Sequence, residues 1–274
     1  MNIKHKFLLH SLLVFVCLLF LTPLFWMIST SLKTSDQIFL SDIRWIPNPV
    51  SWKNYLDAFK YVNLLESFNN TILLCVLNVI GVLVSSSLAA YAFGVLRWKY
   101  REPFFYITLA TMMLPEMVTL VPQFVLFQRL GWYGTFLPLI APCFCGTAFY
   151  IFLLRQFFLT IPRELHEASS VDGCSEFDIY RMIYLPLSIP ALSVVALFQF
   201  LATWNDLMKP SIYLINQDQY TLSLTLQQFK AQHGGTEWAL LMASVTIFIL
   251  PVILVFFFAQ KTFVQGITMT GIKE

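Results

Sequence analysis

The sequence predicts an all-α protein that crosses a membrane six times. Of its 274 residues, 58% are hydrophobic and only 12% are charged, and the mean hydropathy is +0.70. Soluble domains average about 45–50% apolar and about 25% charged residues. The apolar runs are continuous rather than alternating, which favours helices over barrel strands, because lipid tolerates only structures that satisfy their own backbone hydrogen bonds. We therefore expect a polytopic membrane protein that forms one domain, residues 1–274.

Six apolar runs set the order of the elements, since a transmembrane helix needs about 20 mostly apolar residues. The predicted spans are residues 7–28, 69–93, 104–127, 136–158, 183–205 and 238–259. Lys and Arg are more frequent in the segments that share a side with the N-terminus. The positive-inside rule then predicts that both the N- and the C-terminus are cytoplasmic.

The first two spans and the segment between them carry no chemical motif. The first run, residues 7–28, exceeds the usual apolar core of a secretory signal, about 7–15 residues, so we expect a retained span. Trp45 and Trp52 follow it and are expected to anchor at the membrane interface. In the second span, Gly81 and the serines 85–87 indicate close helix packing.

Glu116 interrupts a third span that is otherwise uncharged. On a straight helix it would lie about 18 Å from Phe104, past the bilayer midplane. An ionisable group at such a depth usually faces a water-filled cavity or a partner. Two interpretations stay open, a polar lining of a solute path and a structural hydrogen bond to another subunit. Pro115 and Pro122 are expected to kink this span.

A compact polar segment, residues 160–182, separates the fourth and fifth spans. Pro162 suits the first turn of a helix, which we expect to continue through Val171. Asp172 and Gly173 should end it, because glycine readily adopts the left-handed conformation of a helix terminus.

A second short helix is predicted to start at Ser175. Asp178 follows three residues later and can reach back to the cap, as in a capping box. Pro186 should disturb or end this helix. The segment is then two short helices that meet at a glycine and project from the membrane as a rigid elbow.

This segment resembles the EAA loop of ABC-importer permeases in both residue type and spacing. The matching residues are Glu167, Ala168, Ser169, Asp172, Gly173, Ile183, Leu185, Pro186, Leu187 and Pro190. Ser169 stands where the family usually has alanine, and this small residue should be tolerated. Further stretches resemble the MalG-type carbohydrate permeases, among them Trp204-Asn205-Asp206 and the ending Gly271-Ile272-Lys273.

The resemblance implies a type I ABC importer permease fold with a cytoplasmic coupling helix, in a bacterial cytoplasmic (inner) membrane. It implies a second related permease subunit as heterodimer partner, two ATP-binding subunits, an extracytoplasmic solute-binding protein and a sugar substrate. The chain lacks GxxxxGK[ST], the loop that cradles phosphates. We therefore expect no enzymatic activity, cofactor or metal in this chain, with ATP and Mg²⁺ used by the partner subunits.

The resemblance also assigns three groups of residues. Coupling to the ATP-binding subunit falls to Glu167, Ala168, Ser169, Asp172, Gly173, Leu185 and Pro186. Docking of the tail, residues 261–274, falls to Gly271, Ile272 and Lys273. The solute path or the contact with the binding protein falls to Trp204, Asn205, Asp206, Gln232, His233, Gly234 and Gly235, and the intramembrane charge of Glu116 adds that residue to the group.

Three alternatives stay open. The same machinery could import glycerol phosphate or a related polar solute, although no Lys or Arg lies deep in any span, which favours a neutral sugar. A self-contained secondary transporter would need internal repeats or paired intramembrane charges. A membrane enzyme would need clustered His, Asp or Cys, whereas the four histidines and five cysteines are dispersed, and the cysteines are interpreted as small buried hydrophobes.

Overall fold

A computed structural model of the chain describes residues 3–39, 44–231 and 236–270, and this part contains helices but no strand. The first helices are α1 (Ile3–Ser31), α2 (Ser35–Ile38), α3 (Lys53–Tyr61), α4 (Leu64–Gly94), α5 (Arg101–Ala110), α6 (Glu116–Arg129), α7 (Leu137–Ile140) and α8 (Ala148–Phe158). They are followed by α9 (Arg163–Val171), α10 (Glu176–Ile179), α11 (Leu185–Leu187), α12 (Ile189–Trp204), α13 (Met208–Tyr213), α14 (Leu222–Ala231) and α15 (Trp238–Thr270). Short 3₁₀ turns occupy Thr111–Met113, Ala141–Cys145 and Gln217–Gln219, and Tyr180–Tyr184 form a π-helical turn.

The described helices account for up to six membrane spans. Four are long and apolar enough to cross a bilayer, namely His5–Ser31, Leu64–Gly94, Leu137–Phe158 and Trp238–Gln260. Two more result when bent helix pairs are each counted as one span, Arg101–Met113 with Glu116–Arg129 and Glu176–Leu187 with Ile189–Trp204. The bends are 99° and 77°. The predicted all-α fold with six spans is confirmed on this count.

The third span is broken rather than continuous. Leu114 has an extended backbone, with ψ 116°, and α6 starts immediately after Pro115. Proline disfavours a helical conformation in the residue before it and supplies no N–H, so the helix cannot continue through this point. The expectation that Glu116 lies about 18 Å along a straight helix is therefore wrong, because Glu116 is the first residue of a new helix. Pro122 lies inside α6 without ending it.

The chain divides into two compact units, and our prediction of a single domain stays a prediction. The first unit consists of residues 1–65 and 224–251. In it, Lys33 is 2% exposed and its Nζ lies 4.0 Å from the centroid of the Trp26 ring. Asn54 donates a hydrogen bond of 2.7 Å to the Lys33 carbonyl oxygen. These contacts order the segment that follows α1.

The second unit, residues 66–223 and 252–274, has two apolar clusters. One packs α4, α8, α10 and α12 together through residues such as Val82, Leu154, Ile179 and Val195, all at most 1% exposed. The other joins α4, α6, α7 and α13 and includes Leu74, Phe127, Leu139 and Tyr213. The two clusters fix the frame on which the polar residues described below are held.

The cysteines do not all behave as buried hydrophobes. Cys75 is buried, whereas Cys17 and Cys145 are exposed. Cys17 lies on α1, most of whose apolar side chains are exposed. An exposed apolar face is normal for a helix that contacts lipid, so burial within the protein was the wrong expectation for these positions.

Candidate functional site: a coupling elbow and a polar cavity

The first arm of the elbow forms where the sequence predicts it. Helix α9 begins after Pro162, which has a non-helical backbone, and ends at Val171. Gly173 has φ +85°, and the N–H of Cys174 donates a 3.0 Å hydrogen bond to the carbonyl oxygen of Ser169. A left-handed residue that closes such a bond is a frequent helix terminus. No atom lies within 4 Å of a Cβ built at Gly173, so its conformation, and not lack of space, selects glycine.

The second arm begins with the predicted capping box. The Ser175 Oγ accepts a 3.2 Å hydrogen bond from the Asp178 N–H, and the Asp178 Oδ2 accepts one of 3.2 Å from the Ser175 N–H. Helix α10 continues through the π-helical turn into α11, which contains Leu185 and Pro186. It ends at Leu187, where the chain bends towards α12. Pro186 thus lies inside the helix, which ends one residue later.

The outer surface of the elbow is exposed and carries the residues assigned to coupling. The Glu167 side chain is 66% exposed, and its Oε1 lies 3.2 Å from Arg163 Nε within the same helix. Val171 and Phe177 are apolar and are 87% and 62% exposed. The Oγ of Ser169 donates to the Leu165 carbonyl oxygen at 2.8 Å, so the serine that replaces the usual alanine is satisfied within its own helix.

The base of the elbow is held to the second span by a contact that sequence reasoning missed. Tyr91, near the end of α4, donates a 2.8 Å hydrogen bond from its hydroxyl to Glu176 Oε2. His166 Nε2 of α9 lies 3.7 Å from Glu176 Oε1. The Glu176 carboxylate, on the second arm, therefore contacts both the first arm and the second span. The Tyr91 ring packs edge-on against Tyr184, with centroids 5.1 Å apart, and against Phe158, at 6.5 Å.

A polar cavity of about 370 Å³ lies in the same unit. Its lining residues come from α4, α6, α7, α8, α12 and α13, and the polar ones include Asn78, Glu116, Thr147, Gln199, Thr203, Asp206, Lys209 and Thr221. The volume falls within the range of about 300–1,000 Å³ typical of small-molecule sites. The two breaks in the predicted spans help to build it, since α6 and α12 each follow a bend.

Two amides and a hydroxyl form the neutral part of this cavity. Asn78 Nδ2 donates to Thr203 Oγ1 at 3.3 Å, and Gln199 Nε2 donates to the same oxygen at 3.0 Å. Asn78 is 5% exposed, and its Oδ1 has no hydrogen-bond partner within the described part of the chain. A buried acceptor without a donor is costly, so this amide oxygen favours any arrangement of the cavity that supplies it with a donor.

Three charged residues form the other part. Lys209 Nζ lies 2.7 Å from Glu116 Oε1, and the Lys209 N–H donates to Asp206 Oδ1 at 3.2 Å. Burial raises the pKa of Asp206, although the N–H and the charge of Lys209 oppose the shift. Burial acts to lower the pKa of Lys209, but its hydrogen bond to Glu116 and the two nearby carboxylates outweigh this, so its pKa is above the ordinary value. Two carboxylates and one ammonium thus give this part a negative balance.

The structure brings only some of the predicted path residues together. Glu116 and Asp206 both line the cavity. Trp204 is fully buried and stacks on Phe200, with ring centroids 5.3 Å apart, so it is not part of the lining. Asn205 is exposed and donates to the carbonyl oxygen of Leu201. The helical rotation of consecutive residues places these two side chains on faces away from the cavity, and a contact of Asn205 with the binding protein stays a prediction.

Other predicted residues lie outside the described residues. These are Gln232, His233, Gly234 and Gly235 in the last outer loop and Gly271, Ile272 and Lys273 in the tail. Conversely, Asn78, Gln199, Thr203 and Lys209 were missed. The sequence did indicate Asn78 and Gln199, because each is an amide within an apolar run and a polar residue in a span usually faces a cavity or another helix.

Lys209 brings a cation to the cavity, although no Lys or Arg lies deep in any predicted span. The residue belongs to the segment after the fifth span, but its side chain lines the cavity and meets Glu116 there. Its ammonium is matched by two acids, so it does not make the cavity cationic.

Comparison with known proteins decides the family. Residues 81–269 match the family described as "Binding-protein-dependent transport system inner membrane component". The chain belongs to this family. The permease is 34% identical over 254 residues to the "Probable ABC transporter permease protein YurM" of Bacillus subtilis, covering 92% of this chain and 83% of that protein. It is 30% identical to the "Arabinooligosaccharides transport system permease protein AraQ" of Halalkalibacterium halodurans, covering 94% and 93%.

The permease also shares its fold with a solved structure. A chain from "a bacterial ABC transporter involved in the import of the acidic polysaccharide alginate" aligns with a TM-score of 0.85 and 23% identity, over 95% of this permease and 96% of that chain. The predicted ABC permease fold is thereby confirmed, and the permease is a multi-pass component of an inner membrane.

Proposed function

We propose that the permease is a non-catalytic subunit of an ATP-driven importer of a neutral sugar or oligosaccharide. In this proposal both termini and the elbow formed by α9 and α10 face the cytoplasm. Two ATP-binding subunits dock on the cytoplasmic side, and one of them holds the elbow. A second related permease completes the membrane pore as a heterodimer, and an extracytoplasmic binding protein delivers the solute. ATP and Mg²⁺ are bound by the ATP-binding subunits. A solved alginate transporter is described in complex with a periplasmic protein that carries its oligosaccharide, which supports the last partner.

The observation that carries the coupling role is an exposed but rigidly held elbow. Its outer surface presents Glu167 and Val171, whereas its base is fixed by the hydrogen bond from Tyr91 to Glu176 and by packed aromatic rings. Movement of the ATP-binding subunits would therefore be transmitted to the second and fifth spans as a rigid displacement. Two discrete packings, of which ATP favours one, are sufficient for alternating access.

The composition of the cavity supports a neutral, hydroxyl-rich solute. Asn78, Gln199 and Thr203 line it with neutral polar groups. The charged part has two acids against one ammonium, which opposes the entry of an anion. The relative AraQ is named for arabinooligosaccharides, and a solute of this class is the one that we propose.

Glycerol phosphate remains the second candidate. It would need a cationic lining, and Lys209 is the cation that the cavity provides. Uptake in proteoliposomes of the assembled transporter separates the two, with a short neutral oligosaccharide and glycerol phosphate as the solutes. Uptake of the oligosaccharide alone supports the proposal, and uptake of glycerol phosphate alone overturns the choice of solute.

Glu167→Lys tests the coupling role. We expect the assembled transporter to lose most of its uptake, because a partner's cation that meets Glu167 would then face a like charge. Glu164→Lys is a matched control, since Glu164 is exposed on the same helix but lies outside the matching motif. Equal uptake by both variants, at normal assembly, would show that the elbow does not couple through Glu167.

A further inference from the structure

A groove of about 540 Å³, separate from the polar cavity, lies where α4 ends and α5 begins. It is lined by Arg97, Trp98, Lys99, Arg101, Glu102 and Arg163. Four cationic side chains thus surround one carboxylate. Neither the solute cavity nor the outer surface of the elbow accounts for this concentration of positive charge.

The one carboxylate of the groove is already neutralised from the protein side. Arg155 Nη2 donates to Glu102 Oε1 at 3.0 Å and to Oε2 at 3.3 Å, and its side chain is only 12% exposed. Arg155 Nε also donates to the carbonyl oxygen of Phe93. This mostly buried arginine ties α8 to α4 and α5, and it takes up much of the negative charge of Glu102 that could otherwise balance the cations of the groove.

Two of those cations have no carboxylate partner within the described part of the chain. Arg97 and Lys99 are exposed and take part in none of its ion pairs, although Lys99 Nζ lies 5.3 Å from the centroid of the Tyr100 ring. By contrast, Arg101 Nε is 3.1 Å from Glu102, and Arg163 is paired with Glu167. Arg97 and Lys99 are therefore free to bind an anion.

The surroundings of the groove are those of a membrane interface. Trp98 Nε1 donates to the Ala92 carbonyl oxygen at 2.9 Å, and its ring packs 5.8 Å from that of Phe104. Tyr100 and Phe104 are each 54% exposed beside it. Trp and Tyr at the ends of spans lie at the level of the lipid headgroups. An anion held here would thus lie at the depth of lipid phosphates, which favours a lipid over a soluble protein surface.

We propose that this groove binds the phosphate group of an anionic phospholipid such as phosphatidylglycerol. Arg97 and Lys99 contact the phosphate, and the Trp98 ring lies against the glycerol and the start of the acyl chains. A lysine or arginine near an anionic surface strengthens binding by about fivefold, so the two residues together contribute about 30-fold.

The test measures lipid binding to the full-length chain in phosphatidylcholine nanodiscs that contain increasing amounts of a photoactivatable phosphatidylglycerol. Peptide mapping then shows where the lipid cross-links. We expect wild type to be labelled within residues 97–105, and Arg97→Gln/Lys99→Gln to need about 30-fold more of the lipid for equal labelling. The control Arg129→Gln/Lys53→Gln removes the same charge from exposed positions outside the groove and should match wild type.

Two further experiments make each outcome decisive. Arg97→Lys/Lys99→Arg keeps both positive charges and should be labelled like wild type. Reduced labelling of the Gln variant then reflects the lost charges and not a misfolded chain. Inorganic phosphate should compete only weakly, because the lipid is also held through its acyl chains. Equal labelling of the Gln variant and its control, no preference for phosphatidylglycerol over a photoactivatable phosphatidylcholine, or complete displacement by phosphate would each overturn the proposal.

Discussion

Gly173 shows how a single backbone conformation determines the shape of the elbow. Its φ of +85° lies in the left-handed region, and a Cβ would meet nothing within 4 Å. A substitution there is opposed by backbone strain alone, which costs about 1–3 kcal/mol for a non-glycine residue and most for a β-branched one. The angle between α9 and α10 therefore depends on this residue.

Gly173→Val should reduce solute uptake by the assembled transporter several-fold, because the strain favours a different angle between the two arms. Gly173→Asn should retain most of the uptake, since asparagine tolerates the left-handed region better. The measurement is uptake per assembled complex, with assembly followed by co-purification of the partner subunits. If valine and asparagine behave alike, the conformation of this residue does not matter for transport.

Lys209 is charged throughout the physiological range, and the direction of its pKa shift gives the pH dependence. Its pKa lies above the ordinary 10.5. The stability from its pairing is therefore fully present below that ordinary value and is lost only as the pH rises through the raised one. Because Glu116 is 67% exposed, the pair contributes only about 0–1 kcal/mol to folding. Its main effect is on the charge that a solute meets.

Lys209→His should introduce a pH dependence that wild type lacks. Histidine has an ordinary pKa of about 6.5, and the two carboxylates that raise the pKa of Lys209 should raise it as well, so the cation opposite Glu116 and Asp206 would disappear over an interval above about pH 6.5. Solute-stimulated ATPase activity of the assembled transporter should then change across that interval. Lys209→Arg is the control and should follow wild type. Superimposable profiles of the His and Arg variants would remove Lys209 from the solute path.

At the scale of elements, the contact between α4 and α10 links the elbow to the membrane helices. Tyr91 is 5% exposed, and its hydroxyl donates to Glu176 at 2.8 Å. Ser87, one turn earlier on α4, shares a 2.7 Å hydrogen bond with the hydroxyl of Tyr180. The two contacts are one helical turn apart, so they resist both sliding and tilting of the elbow relative to α4.

Tyr91→Phe should uncouple ATP hydrolysis from uptake while leaving assembly intact. The ring stays in its aromatic cluster, and only the hydrogen bond to a partly exposed carboxylate is lost, about 1 kcal/mol. We expect more ATP hydrolysed per solute transported, by about two- to fivefold. Tyr106→Phe, at an exposed position on α5, should leave the ratio unchanged. An unaltered ratio in Tyr91→Phe would show that this contact transmits nothing.

Local structure was predictable wherever neighbouring residues determine it. The end of α9 at Gly173 and the capping box of Ser175 with Asp178 depend on residues within four positions, and both formed as expected. The hydrogen bond between Tyr91 and Glu176 joins residues 85 positions apart. No periodicity or spacing in the sequence encodes such a distant pairing.

The candidate site was predicted only in part for the same reason. The charge of Glu116 within an apolar run showed that it needed a polar environment, but its partner Lys209 lies on a segment far along the chain. The break at Pro115 had a local signal, which was interpreted as a kink. Once the helix restarts at Glu116, however, the direction of the whole following helix changes, and the position of every side chain on it changes too.

At the scale of the whole molecule, the proposed coupling requires that the elbow is an interface with an ATP-binding subunit. Val171 is the most suitable probe, because it is 87% exposed at the end of α9, next to the Asp172-Gly173 turn. Met113 is similarly exposed, at 84%, in the break of the third span, which the proposed orientation places away from the cytoplasm. A photo-cross-linking residue can therefore be placed at either position with similar exposure, and position 113 serves as the control for position 171.

The decisive measurement places a photo-cross-linking residue at Val171 or at Met113 in the assembled transporter and identifies the linked polypeptide with and without ATP. We predict that position 171 links to the ATP-binding subunit, with a yield that changes with the nucleotide state, and that position 113 does not. Linkage of position 171 to no second polypeptide in any nucleotide state, or no more than at position 113, would contradict the account.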